Sequence, residues 1–294
     1  MRAVFAGEAM LELSRDGARW RMGYGGDTLN TAIHLARAGH DVGYLTALGT
    51  DPFSGRLKQD WQAEGIDTSL ILAHPQRRPG LYAIVTDEAG ERSFVYWREA
   101  SAAREMFALP EAEGVLRRAA EADLLAFSLI SLAILPPEGR ERLLALAGEV
   151  RAGGGRVAFD GNYRPALWSG AAEARAARDA AIAASNIGLP TLEDETALSG
   201  NGDAASVAAH WIGLGCCETL VKLGPEGCRL PDGTIVAPER TLAPVDTSGA
   251  GDAFNAGYLG ARLAGADVAA SARAGHALAG WTIMRPGAIP AADV

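Results

Sequence analysis

From about residue 115 onward, short apolar runs alternate with longer segments of helical periodicity, and this rhythm restricts the fold more than any other feature of the chain. Strand-like runs fall at 124–128, 156–160, 185–189 and 218–222. Helical patterns fall at 137–152, 171–184, 203–213, 251–265 and 267–284. Strands alternating with helices predict an α/β fold, a doubly wound and mostly parallel sheet with helices on both faces. In such sheets ligands bind at the carboxyl ends of the strands.

The first hundred residues read differently. A buried strand is expected at 3–7 and another at 42–48. Between them, Gly25-Gly26-Asp27 opens a helix with apolar positions Leu29, Ala32, Ile33 and Ala36, which Gly39 terminates. Two hairpins are expected, one over 9–13 and 18–23 around Asp16-Gly17, the other over 81–86 and 93–97 across a polar turn. Their mixture of aromatic and charged residues suits a small β-sheet lid over a site, formed by about 9–24 and 80–98, rather than deep core strands. A chain of 294 residues with 48% hydrophobic content accommodates this as a single domain over 1–294.

Charge and cysteine content exclude several classes. The net charge of −9 disfavours a nucleic-acid backbone as partner. Cys216, Cys217 and Cys228 form no C-x-x-C pair, so they read as small buried hydrophobes rather than a zinc site or disulfide framework. Glu8 and Glu12 interrupt the apolar amino-terminal run, which therefore does not read as a secretory leader. No stretch approaches 18 apolar residues, so no membrane span is expected and a cytoplasmic location follows.

The chemistry concentrates in residues 246–252, Asp-Thr-Ser-Gly-Ala-Gly-Asp, at the start of a helix. Gly249 and Gly251 let a ligand approach the backbone, and the free amides of the helix start, with its dipole behind them, favour an anion. Asp252 on the first turn is placed to take a proton from an attacking hydroxyl. A plain capped helix explains any generic glycine turn. Six fixed positions of this string, however, recur by chance on the order of once per million windows or less.

The string resembles the carboxyl-terminal signature of the ribokinase-like (PfkB) carbohydrate kinases. That resemblance implies a ribokinase-like fold, ATP and Mg²⁺ as cofactors, Asp252 as catalytic base, and an anion hole at Gly249, Ala250 and Gly251. Gly25, Gly26, Asp27 and Asn30 match the family's sugar-facing glycine pair, although Asp27 equally suits a helix cap. Lys222-Leu223-Gly224-Pro225-Glu226-Gly227 is similar to its nucleotide loop, which implicates Lys222, Gly224 and Gly227 together with Thr247. Asn186 is assigned to the phosphates, and His276 to adenine or to helix packing. The family's Asn-x-x-Glu magnesium motif is replaced here, with Leu192 at the Asn position. Asp194 and Glu195 are left to hold the ion through water, or to serve as ordinary acidic residues of a helix start. A monovalent cation near 246–251 and 284–287 stays open.

Two further stretches bear on the substrate. Tyr96-Trp97-Arg98 ends the second hairpin, and Asn162-Tyr163-Arg164-Pro165 with Leu167-Trp168 follows a core strand. Arginine's planar fork suits a carboxylate. These stretches are similar to those of the 2-keto-3-deoxygluconate kinases, which implies that Arg98 and Arg164 grip the sugar acid and that Tyr82 and Tyr96 line its pocket. The partners implied are a small sugar acid and ATP, without nucleic acid or membrane. Small sheets with exposed apolar edges also point to a homo-oligomer. The alternatives are a kinase of a neutral sugar such as fructose or ribose, and a sugar sensor on the same fold. An oxidoreductase is discounted because no G-x-G-x-x-G follows the first strand.

Overall fold

The computed structural model describes residues 1–16, 19–86, 92–200 and 202–291. The amino-terminal part contains β1 (Arg2–Ala6), β2 (Met10–Asp16), β3 (Arg19–Gly25), α1 (Asp27–Arg37), β4 (Asp41–Leu48), α2 (Pro52–Ala63), β5 (Ile66–Asp67), β6 (Ile71–Ala73), β7 (Gly80–Thr86) and β8 (Arg92–Trp97). A 3₁₀ segment, Ala102–Ala108, leads into α3 (Ala112–Ala119), β9 (Leu124–Ser128), α4 (Leu129–Ile134), α5 (Pro137–Ala152) and β10 (Arg156–Asp160). Next come α6 (Ala171–Ala183), β11 (Ile187–Gly188), α7 (Leu192–Ser199), α8 (Ala204–Gly213) and β12 (Glu218–Thr219). The chain continues with β13 (Val221–Lys222), β14 (Cys228–Arg229), β15 (Ile235–Val236), α9 (Ala250–Leu263) and α10 (Val268–Ile283).

The expected parallel sheet is present as eight strands in the order β12-β11-β10-β9-β1-β4-β5, with β6 also paired to β4. Every described pairing within it is parallel. Period-two alternation splits its side chains between two cores. Val4, Leu45, Leu125, Phe127, Val157 and Phe159 face α3 to α6 and α8. Phe5, Tyr44, Ala126 and Ala158 face α1, α9 and α10. Strands covered on both faces become continuously apolar, which is why they are visible in sequence.

The two early hairpins join into one sheet, ordered β3-β2-β7-β8, through parallel pairing of β2 with β7. The expected turn at Asp16-Gly17 and the polar turn expected over 87–92 fall partly outside the described residues, and Arg92 already belongs to β8. The strand expected at 218–222 divides at Leu220. Its first half joins the large sheet, and its second half forms a small antiparallel sheet with β14 and β15.

Several helices were not anticipated. α2 begins at Asp51, whose side chain accepts from the Phe53 and Ser54 amides, with Pro52 in the first turn. α4 is closed by a reciprocal capping box between Ser128 and Ser131. Of the cysteines, Cys216 and Cys228 are buried as expected, but Cys217 is exposed.

Candidate active site

Gly249 stands at the N-cap of α9 with φ 69°, a left-handed conformation for which glycine is suited. The turn is also crowded: a Cβ on Gly249 would lie 2.6 Å from the Cβ of Ala288. No side chain caps the helix. The Ala250 amide bonds the Thr247 carbonyl at 3.3 Å, while the next amides of the first turn keep their donors for a ligand, and Ala250 and Gly251 open into the same cleft. The Asp246 carboxylate steadies the approach, accepting from the Ser248 amide (3.0 Å) and from the Gly287 amide (2.6 Å).

Asp252 lies in the first turn of α9, where Asn30 Nδ2 donates to its Oδ2 at 2.8 Å. Burial pushes its carboxyl up to about 8, reinforced by the charges of Asp27 and Asp160, while Asn30 and the Lys222 ammonium pull the other way. Asp27 is likewise raised by burial and by Asp160, against hydrogen bonds from Ser128 and Asn162. Asn162 Nδ2 donates to Asp27 at 3.0 Å. Asp27 is not a helix cap: Gly26 occupies that position, and no side chain bonds there. A Cβ on Gly26 would meet the Glu8 carbonyl at 2.3 Å, and one on Gly25 would meet the Tyr82 hydroxyl at 2.4 Å, so close packing demands both glycines.

Behind Asp252 lies a buried triad. Lys222 Nζ donates to Asp160 (3.2 Å) and to Asn255 (3.1 Å), and Asn255 Nδ2 donates to Asp160 (2.8 Å). Lys222 Nζ also lies 3.8 Å from where a Gly251 Cβ would be, which puts its charge beside the amide turn.

The opposing wall is the inner face of the four-stranded sheet. Tyr82 and Tyr96 are directly paired, with rings 5.9 Å apart, and Phe94 stacks on Tyr96. The Tyr82 hydroxyl donates to Glu12. The Arg98 guanidinium sits 5.7 Å from the centre of the Tyr96 ring, so these two residues share a face as their parity requires. Arg98 is not a free cation, however: Nε donates to Glu8 Oε2 at 2.8 Å and Nη2 to the same oxygen, with both side chains buried. Arg164 reaches Asp194 at 3.1 Å and the Tyr163 carbonyl at 2.7 Å.

Between these walls runs a cleft of about 1930 Å³. That exceeds the roughly 300–1,000 Å³ that encloses one small ligand, leaving room for two. The cleft gathers Gly26, Asp27, Asn30, Tyr82, Tyr96, Arg98, Arg164, Asp194 and Asp252 with Lys222, Gly224, Gly227, Thr247 and His276. Gly227 has φ 107°, and a Cβ there would meet the Val236 carbonyl at 2.1 Å. His276 bonds that same carbonyl at 2.9 Å and packs against Phe254, yet still borders the cleft.

Two expected residues point elsewhere. Asn186 precedes β11 at the amino end of the sheet, where its side chain accepts from the Val157 amide, so it does not border the cleft. Glu195 is buried in the scaffold, accepting from Arg178 at 2.7 Å and from the Trp211 indole at 3.0 Å. Of the acidic pair, only Asp194 borders the cleft. Sequence reasoning missed Asp160, Asn162, Asn255 and Glu8. Asp160 was findable as the lone charge closing the apolar run of β10, at the end of the strand where ligands bind.

A family model described as pfkB family carbohydrate kinase matches residues 4–293. The chain belongs to the pfkB family. It is thus an ATP-dependent carbohydrate kinase with the ribokinase-like fold. This pfkB chain is 42% identical to the 2-dehydro-3-deoxygluconokinase of Escherichia coli K12, over 96% of its own length and 95% of that protein's. It is 38% identical to the 2-dehydro-3-deoxygluconokinase of Haemophilus influenzae, covering 97% and 94%. Among solved structures it superposes on the aminoimidazole riboside kinase of Salmonella enterica, complexed with aminoimidazole riboside and an ATP analogue. The TM-score is 0.83 at 25% identity, covering 98% of this chain and 94% of that one.

Proposed function

We propose that the protein transfers the γ-phosphoryl group of ATP to the 6-hydroxyl of 2-keto-3-deoxygluconate (2-dehydro-3-deoxygluconate), giving 2-keto-3-deoxy-6-phosphogluconate and ADP. The observation that carries this reading is the shared cleft, in which a carboxyl on an uncapped helix start faces a wall of tyrosines and arginines. In the reaction Asp252 takes the hydroxyl proton as the oxygen attacks the γ-phosphorus and the bridging oxygen leaves with ADP. The amides at Gly249, Ala250 and Gly251, with Lys222 beside them, hold the charge on the transferring group. Arg98 and Arg164 direct hydrogen bonds to the sugar acid. Tyr82 and Tyr96 line its pocket, and the four-stranded sheet acts as a lid that excludes water.

The residues present fit Mg²⁺. Asp27, Asp194 and Asp252 are all raised by burial, each additionally by the neighbouring charge of Asp160. Among the described residues no three carboxylate, histidine or cysteine side chains gather as a metal cluster, so the ion would take most of its oxygens from phosphates and water, as Mg²⁺ does. Asp194 would hold it through water, and the ion when bound would neutralise phosphate charge. A cytoplasmic location belongs to the same reading.

The relatives named above favour the keto-acid over a neutral sugar, as do the paired arginines, which fructose or ribose would not engage. The test is an ADP-release assay with ATP and Mg²⁺, comparing 2-keto-3-deoxygluconate with fructose, ribose and gluconate. Selective turnover of the keto-acid is expected. Preference for a neutral sugar would keep the kinase chemistry and remove the carboxylate role of the arginines.

The outer face of the same sheet supports self-association. Trp20, Met22, Val85, Val95 and Trp97 are each at least 40% exposed there, on strands that carry the cleft-facing residues on the other side. A second copy covering this apolar face makes a homodimer. Sedimentation at micromolar concentration is expected to show a dimer that Trp97→Glu dissociates. A monomeric wild-type protein would refute it.

A further inference from the structure

We infer that Arg104 supplies the unpaired positive charge that selects an anionic sugar; the inference rests on the keto-acid reading and names a residue that this reading does not use. The charge balance along the cleft points to it. Arg98 donates twice to the buried carboxylate of Glu8, so the pair offers directed hydrogen bonds but almost no net charge. Arg164 is offset in the same way by Asp194, and Lys222 by Asp160. Glu99, also on this wall, turns its carboxylate to the Arg98 amide at 3.1 Å and adds an uncompensated negative charge. A substrate carboxylate entering here meets paired arginines and two further carboxylates on this wall, Glu99 and Glu12, the latter accepting from the neutral Tyr82 hydroxyl.

Against these carboxylates Arg104 offers a cation that no carboxylate of the described residues neutralises. It lies in the 3₁₀ segment that follows the Arg98 turn, where the Ser101 amide bonds the Arg98 carbonyl at 3.1 Å and the Arg104 amide bonds the Ser101 carbonyl at 3.4 Å. Its side chain is half-buried and borders the cleft with Arg98 and Ile130. Among the described residues it makes no side-chain hydrogen bond or ion pair. Half-burial lowers the screening of its charge, so an unpaired guanidinium here attracts a carboxylate more strongly than one at the exposed rim, such as Arg21. Arg98 fixes orientation, and Arg104 provides the long-range attraction that a neutral sugar does not feel.

The test compares wild type, Arg104→Gln and Arg104→Lys in steady-state kinetics with 2-keto-3-deoxygluconate and ATP. A charge-assisted contact corresponds to a ten- to hundredfold change in binding, on the order of what KM for the keto-acid should gain in Arg104→Gln. KM for ATP and kcat are expected to stay within about twofold, showing that the variant is folded. Arg104→Lys keeps the charge and should recover most of the loss, with KM more sensitive to salt than in wild type. Wild-type turnover of the keto-acid with an unmoved KM in Arg104→Gln overturns this inference alone. An equal rise in KM for ATP assigns Arg104 to the nucleotide and also overturns it. Absence of keto-acid turnover by the wild type overturns the substrate reading and this inference with it.

Discussion

Asp252→Asn is expected to lower kcat by about 10²–10⁴-fold or more, the range a positioned general base contributes, with KM for either substrate nearly unchanged. The substitution keeps the shape of the side chain, so the effect isolates the proton-accepting function. The pH profile supplies a second reading. The base acts only when ionised, and burial with two neighbouring carboxylates holds its proton up to about pH 8. In wild type, kcat/KM should therefore rise with pH through the neutral range and level off above about 8. In Asp252→Asn that ascending limb should vanish. Near-normal turnover in the variant, or an unchanged profile, would remove Asp252 from the chemistry.

The second large effect is on stability. Arg178→Met leaves Glu195 buried at 2% exposure without its charged partner. Breaking such a pair from one side destabilises by roughly 3–5 kcal/mol, which urea unfolding would read as a lower midpoint. Burial already raises the Glu195 carboxyl, and Arg178 opposes that shift. Once Arg178 is removed, the native state binds the proton more tightly than the unfolded chain. The deficit should then shrink as pH falls and Glu195 takes up its proton, and grow as pH rises. A loss below about 1 kcal/mol would mean that Glu195 is not a structural anion and would return it to the magnesium site.

The fate of Glu195 shows where sequence reading stops. Asp194 and Glu195 are adjacent on α7, and neighbours on a helix point about 100° apart; the phase of the helix turns Glu193 and Asp194 to the cleft and Glu195 into the scaffold. The two-residue strand before α7 gives no pattern from which to set that phase. Asn186 failed for a related reason: the apolar run at 185–189 contracts to Ile187–Gly188, and Asn186 lies at the end of the strand away from the ligand side. The turn at 246–252 was legible because glycines, helix start and carboxylate are contiguous. The Glu8 partner of Arg98 lies 90 positions away, and nothing local announces a pairing that only the meeting of β1's end with β8's end creates.

The crowding of Gly249 against Ala288 also bears on how the molecule is made. Residues 283–290 are tied to the catalytic turn through Asp246 and Gly287, and to α1 through His34 with the Ala288 carbonyl and Arg37 with the Pro290 carbonyl. Those last contacts span 254 and 253 positions. On the ribosome, the parallel sheet can assemble strand by strand while its phosphate-handling end still lacks one wall. Translation has to pass residue 290 before that wall arrives, so a nascent or prematurely terminated chain acquires its scaffold well before it acquires its activity.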